Sequence, residues 1–203
     1  MHTFYPSHYF LALLFLASHA VSETMSETSQ LHRPNDWRLT FYDGSLSADT
    51  LFDMGTFNAS YDSDFRFQTM ALAYRVTAQR DWTWELEGQI AKHYQGQHHE
   101  EFNALIVFRW HQFPWHEAVN INIAAGAGLS YATDTPDFEL EKNNGKSQQL
   151  LGYLMFELAL ALPRLPQWAI IARVHHRSGA YGLFGDDIRG ASNALAFGLQ
   201  YRF

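Results

Sequence analysis

Cysteine is absent from all 203 residues. That excludes disulfide scaffolds, thiolate metal centres, Cys nucleophiles and thiol-linked lipid anchors. Positive charge is scarce: 14 Lys and Arg stand against 21 Asp and Glu, a formal net charge of −7. A nucleic-acid-binding surface needs the opposite balance, so no nucleic-acid partner is expected. Long apolar runs are missing too, because no stretch reaches the ~18–20 residues of a membrane-spanning helix. The apolar run at residues 9–17 is half that length and ends in Ser18-His19-Ala20, a small-x-small pattern. It reads as a secretory signal peptide over residues 1–20, although only His2, His8 and the α-amine supply positive charge before it. A polar lead over 21–35 follows, and the remaining domain is 36–203.

What the domain has is aromatics, at 16% of the chain, and a hydrophobic pattern of period two. Alternation marks eight strands, at 37–43, 65–76, 82–94, 101–110, 118–131, 149–162, 168–178 and 193–203. The parity of Phe65 and Phe67 is ambiguous within the second. Connections after strands 2, 4 and 6 are short, whereas those after strands 1, 3, 5 and 7 are mostly longer and polar. Short turns at one end and long loops at the other are the layout of an outer-membrane barrel. The terminal Tyr201-Arg202-Phe203 also resembles the closing aromatic signature of such proteins. A soluble barrel of lipocalin type is the alternative, with its apolar face inside. Residue size separates the two. Small residues such as Gly126, Gly128, Ala159, Ala194 and Gly198 share the polar face and fit a crowded eight-stranded interior. Bulky Leu, Phe and Trp crowd the other face, where lipid tolerates them and water does not. The expected fold is an all-β, eight-stranded antiparallel transmembrane β-barrel of outer-membrane type with a filled polar lumen. Glu85, Glu87, Glu157, Arg109 and Arg173 then pair inside it, as buried charges must. The address implied is the outer membrane of a bacterium.

Chemistry concentrates near the end of strand 7. Its even positions face lipid through Val174, and the same parity carries His176 and Ser178 to the outer-leaflet rim. Two residues apart on one face, their Cα atoms lie ~7 Å apart, close enough for an imidazole to activate a hydroxyl if the strand end twists. A third, acidic group orients the base in such arrangements. Spacing does not fix that acid, and Asp186 and Asp187 in the following loop are the nearest candidates. Glycines within residues 179–185 could bring backbone N–H groups to an oxyanion, or serve only as turns. His175 shares parity with Arg173 and faces the lumen, while a twist of the strand end would bring Arg177 to lipid phosphates. The tract Gln95-Gly96-Gln97-His98-His99-Glu100-Glu101 has metal-ligand composition. Neighbouring His residues point in different directions, so no metal and no cofactor are expected.

His176-Arg177-Ser178 on the penultimate strand, a glycine-containing loop and a last strand ending in an aromatic resemble the outer-membrane lipid A 3-O-deacylase (PagL-like) family. The resemblance implies a serine esterase that removes an ester-linked acyl chain from lipid A or lipopolysaccharide, with His176 as general base and Ser178 as nucleophile. This chain has Gly179 where that family has Asn after the Ser. The family's acidic position, twelve residues after the Ser, falls on Gly190, so the acid's role passes to Asp186 or Asp187. The alternative function is a non-enzymatic small barrel, structural, adhesive or ligand-binding through its long loops. A homodimer is compatible with either.

Overall fold

The computed structural model describes residues 36–56, 58–114, 120–162, 164–185, 188 and 191–203. The signal peptide and polar lead expected over 1–35 lie outside them. Eight antiparallel strands pair in sequence order and close: β1 (Trp37–Ser47), β2 (Asp62–Ala78), β3 (Trp82–Gln95), β4 (Glu100–Trp110), β5 (Ile121–Ala132), β6 (Leu150–Leu162), β7 (Leu165–Ser178) and β8 (Ala191–Arg202). The closing seam runs from Arg38 opposite Arg202 to Ser47 opposite Asn193. A closed ladder satisfies every strand's backbone groups within the sheet, which a lipid environment demands. No helix among the described residues is long and apolar enough to cross a membrane; the strands do the crossing.

Alternation sorts the side chains by face. Phe41, Met70, Leu86, Ile90, Phe156, Leu158, Phe197 and Leu199 stand outward and exposed, the band that only lipid would cover. Aromatics bound it at the turn end, where Trp37 meets Tyr74, Trp82 and Trp84 meet Phe108, and Trp168 meets Tyr201. Tyr94, Phe102 and Tyr131 stand exposed at the loop end. Rings that are apolar in body and polar at the tip favour both interfaces.

Inside, a ladder of charge fills the barrel. Arg109 reaches Glu157 at 2.7 Å and Glu85 at 3.1 Å, while Arg173 reaches Glu87 at 2.7 Å and Glu157 at 2.5 Å. Arg38 adds a bond to Glu85 at 3.1 Å. Each charge has an opposite partner, so the cost of burial is offset by pairing. Above the ladder the Tyr42 and Tyr153 hydroxyls both donate to Gln89.

The rim departs most from the expected strands. β1 runs four residues past Asp43, and β2 begins at Asp62, with a register shift between Arg66 and Phe67 against β3. Phe67 turns into the lumen against His93, and Phe65 packs on Phe138. The second ring pair joins the barrel to a helix in the third long loop. Two short helices sit in these loops: α1 (Leu51–Gly55), capped by Thr50 and Asp53, and α2 (Asp137–Lys142). α2 closes the lumen from above. Its Glu139 is fully buried and accepts from Arg177 at 2.8 Å, Ser192 at 2.7 Å and Ser147 at 2.5 Å.

Candidate active site

β7 leaves the turn end at Leu165 and reaches the loop end at Ser178. Trp168 and Ile170 stand exposed on its outer face, and Ala172, Val174, His176 and Ser178 continue the same parity. His176 is nevertheless only 9% exposed. The neighbouring strand packs against it. Opposite His176 on β8 stands Asn193, whose Oδ1 lies 2.5 Å from His176 Nδ1. The Asn193 amide group donates in turn to the backbone carbonyl of Asp49, across the β8–β1 seam.

That second bond fixes the tautomer. With Asn193 Nδ2 committed to Asp49, only Oδ1 is left to face the ring, so Nδ1 must carry the proton and donate it. His176 Nε2 is then the nitrogen with a free lone pair. The arrangement presents an oriented neutral base, held by an amide rather than a carboxylate, as in Cys-His-Asn sites. Ser178 follows on the same face, half-buried. Among the described residues no hydrogen bond joins its hydroxyl to His176. Asp186 and Asp187, the acids expected behind the ring, lie outside the described residues.

The loop after Ser178 is wound tightly. Ala180, Tyr181 and Gly182 take φ of 46°, 55° and 93°. Consecutive left-handed residues with side chains are costly, and such strain collects at functional sites. The amides of Gly182, Leu183 and Phe184 are spent on bonds back to Gly179 and Ala180. Those of Ala180 and Tyr181 take no such bond among the described residues, which leaves two donors just after the hydroxyl. Gly179 has a reason of its own to be glycine: a Cβ there would sit 2.0 Å from the carbonyl oxygen of Ile188. The Asn that the resemblance expects at this position does not fit this loop.

The other rim residues are placed plainly. Arg177 does not turn toward lipid; it is 1% exposed and bonds Glu139 and Ser130 inside the mouth. The ladder of polar partners above the lumen outcompetes an exposed phosphate contact for that guanidinium. His175 faces the lumen, with its Nδ1 3.1 Å from the Tyr153 hydroxyl and its Nε2 3.0 Å from Glu101. Lys142 ends α2 at the same end of the barrel. Burial lowers its ammonium pKa, against the opposing pull of Asp49 and Glu139. In the His-rich tract His98 is exposed and His99 buried.

No protein-family model matches the chain, and no curated protein matches it in sequence. Solved structures do match it in shape. The crystal structure of the outer membrane enzyme PagL covers 82% of this chain and 99% of its own, at 11% identity and a TM-score of 0.58. The fold is that of an outer-membrane barrel. Neisserial surface protein A covers 85% of the chain at 10% identity and a TM-score of 0.48. The N-terminal barrel domain of Pseudomonas aeruginosa OprF covers 84% at 12% identity and the same score. Each is matched over its full length. With its lipid-facing band and paired lumen, this outer-membrane barrel belongs in the bacterial outer membrane.

Asn193 is the site residue that sequence reasoning missed. Nothing in its immediate neighbourhood marks it. The signal that could have found it is cross-strand: pairing Trp168 with Tyr201, two aromatics of the turn-end girdle, sets His176 opposite Asn193.

Proposed function

We propose that this outer-membrane barrel is a serine esterase that removes an ester-linked acyl chain from lipid A or lipopolysaccharide. The observation that carries the reading is the His176–Asn193 pair, an imidazole on the lipid-facing parity of β7 with its Nδ1 occupied and its Nε2 available. In this reading Ser178 Oγ attacks the acyl carbonyl carbon, and His176 Nε2 takes the hydroxyl proton. The same nitrogen returns that proton to the departing sugar oxygen. Water, deprotonated by His176, then cleaves the acyl-serine ester and releases a fatty acid. The amides of Ala180 and Tyr181, unbonded among the described residues, are the oxyanion donors, and Asn193 keeps the ring in its working tautomer. From Cα atoms ~7 Å apart, the side chains bring His176 Nε2 and Ser178 Oγ to hydrogen-bond length when substrate seats, as acid–base contacts tighten in the Michaelis complex. The His-x-Ser resemblance and the shape shared with an outer membrane enzyme support the choice of lipid A as substrate class.

Ser178→Ala is the deciding change. Lipid A from cells expressing the native barrel should be lighter by one acyl chain on mass spectrometry, and the variant should restore the full mass. Heat-dependent gel mobility should show both proteins folded. Identical lipid A from expressing and non-expressing cells ends the esterase reading. The outcome would then favour a non-enzymatic barrel, for which the exposed loop tips Phe52, Tyr181 and Leu183 offer apolar contact surface.

A further inference from the structure

The His-rich tract folds into a cluster that the esterase does not use. His93 near the end of β3 and His99 just before β4 are backbone partners, with His93 N–H donating to the His99 carbonyl at 3.0 Å. Both rings enter the lumen and stack at 4.2 Å between centroids. Glu101 lies two residues beyond His99 on the same inward face. One residue from each strand plus an i, i+2 neighbour puts three donors on one side of a hairpin. Their ligand atoms lie within 4.8 Å of one another, and all three residues are at most 3% exposed.

We propose that His93, His99 and Glu101 form a binding site for a divalent first-row transition-metal ion, with Zn²⁺ the best fit. Two imidazoles and one carboxylate are a donor set that suits Zn²⁺ and its neighbours and excludes Ca²⁺ and Mg²⁺, which take oxygen ligands. An independent feature points the same way. His99 Nε2 is fully buried and has no hydrogen-bond partner among the described residues. An orphaned imidazole nitrogen beside a carboxylate is a ligand atom waiting for a cation. Zn–N and Zn–O bonds of ~2.0–2.2 Å require the donors to draw in by about 1 Å. The rings must also tilt out of their stack so that both lone pairs meet the ion.

The metal-free hydrogen bonds define what binding must exchange. Gln97 Oε1 accepts from the Phe138 amide, so its Nε2 faces His93 Nδ1 at 3.0 Å. The His93 proton therefore sits on Nε2, directed at Glu101 Oε2 at 3.4 Å. The incoming ion takes the place of that proton. That proton passes by way of solvent to Nδ1, so His93 binds through Nε2 and turns an Nδ1–H toward Gln97, whose amide must give way. A carboxylate at position 97 would accept from both Phe138 and the new Nδ1–H, so Gln97→Glu should tighten the site. His175 and Ser130 keep the other oxygen of Glu101 in place. Bound metal would staple the second long loop to the lumen wall beneath α2.

The test uses the full barrel without an affinity tag, refolded in detergent, titrated with Co²⁺ and Zn²⁺. Calorimetry should give one saturable Zn²⁺ equivalent, and Co²⁺ should give the visible absorption of a low-coordinate site. His99→Phe keeps the stacked ring and removes the donor, and should weaken binding by at least about tenfold. His98→Ala, an exposed neighbour, should leave it unchanged. Gln97→Glu should strengthen it. If no saturable uptake occurs, or if His99→Phe binds as the native protein does while heat-dependent mobility shows it folded, the site does not exist. Every readout is metal uptake, so the outcome is separate from that of the esterase.

Discussion

At the scale of single residues, Asn193 gives the His176 imidazole a direction without giving it a charge. An amide orients the imidazole but does little to stabilise the imidazolium that forms as the ring accepts a proton. Asn193→Ala should leave the ring free to rotate and to adopt either tautomer. The expected result is a fall in kcat by about 100-fold with KM little changed, since positioned acid–base groups contribute about 10²–10⁴. Asn193→Asp should behave differently. It restores a carboxylate behind the ring and moves the acid limb of the pH–rate profile upward, while losing the bond to the Asp49 carbonyl. A purely structural Asn would give two variants with altered stability and unshifted pH profiles. Measuring kcat, KM and the pH profile on a fluorogenic ester separates the two.

At the scale of elements, strand parity was the most legible part of the molecule. Outward Leu, Phe and Ile against inward Gly, Ala, Thr and paired charges fix which face meets lipid, because a one-residue slip would bury the wrong set. The rim was less legible, for physical reasons. β1 continues through Gly44 and Ser45 because the barrel pairs them on both sides, a long-range effect invisible in local alternation. α1 and α2 span 5 and 6 residues, too few for helical periodicity to register. The inward Phe67 broke the small-inside rule because it packs among the inward rings of Tyr42, His93 and His175. The candidate base and hydroxyl could be read from β7 alone, whereas Asn193 needed the β7–β8 register. Where strands run close, size is decisive. A Cβ at Gly198 would sit 2.0 Å from the Phe41 carbonyl oxygen and 2.6 Å from Tyr42 Cα, both backbone atoms of β1. Backbone cannot step aside as a side chain can. Gly198→Ala should therefore strain the seam and cost about 1–3 kcal/mol, read as a lower urea midpoint by tryptophan fluorescence.

At the scale of the whole molecule, the barrel is held by interior polar pairing, and its turn end carries a pH dependence. His111 follows β4 with its Nε2 3.1 Å from Thr83 Oγ1. Burial, with Arg109 and Arg38 nearby, pushes its pKa down to about 4. In the unfolded chain the same ring takes a proton near pH ~6.5. Below that pH the unfolded state binds a proton that the folded state refuses, so stability present above it drains away as pH falls toward 4. Between pH 7 and pH 5 the native barrel should lose about 1–2 kcal/mol from this group, and His111→Gln should flatten that slope in urea titrations.

The bond from Asn193 to Asp49 has a consequence in time as well as in space. It joins the last strand to the loop that follows the first, across 144 residues of chain. Nothing fixes which end of the Asn193 amide faces His176 until both ends of the domain have met. A half-made barrel, still shielded by chaperones on its way to the membrane, would hold Asn193 beside the ring with its amide free to turn either end toward it. Closure of the seam would then switch the chemistry on. In the proposed esterase, the ability to cut lipid would arrive only after delivery among lipids.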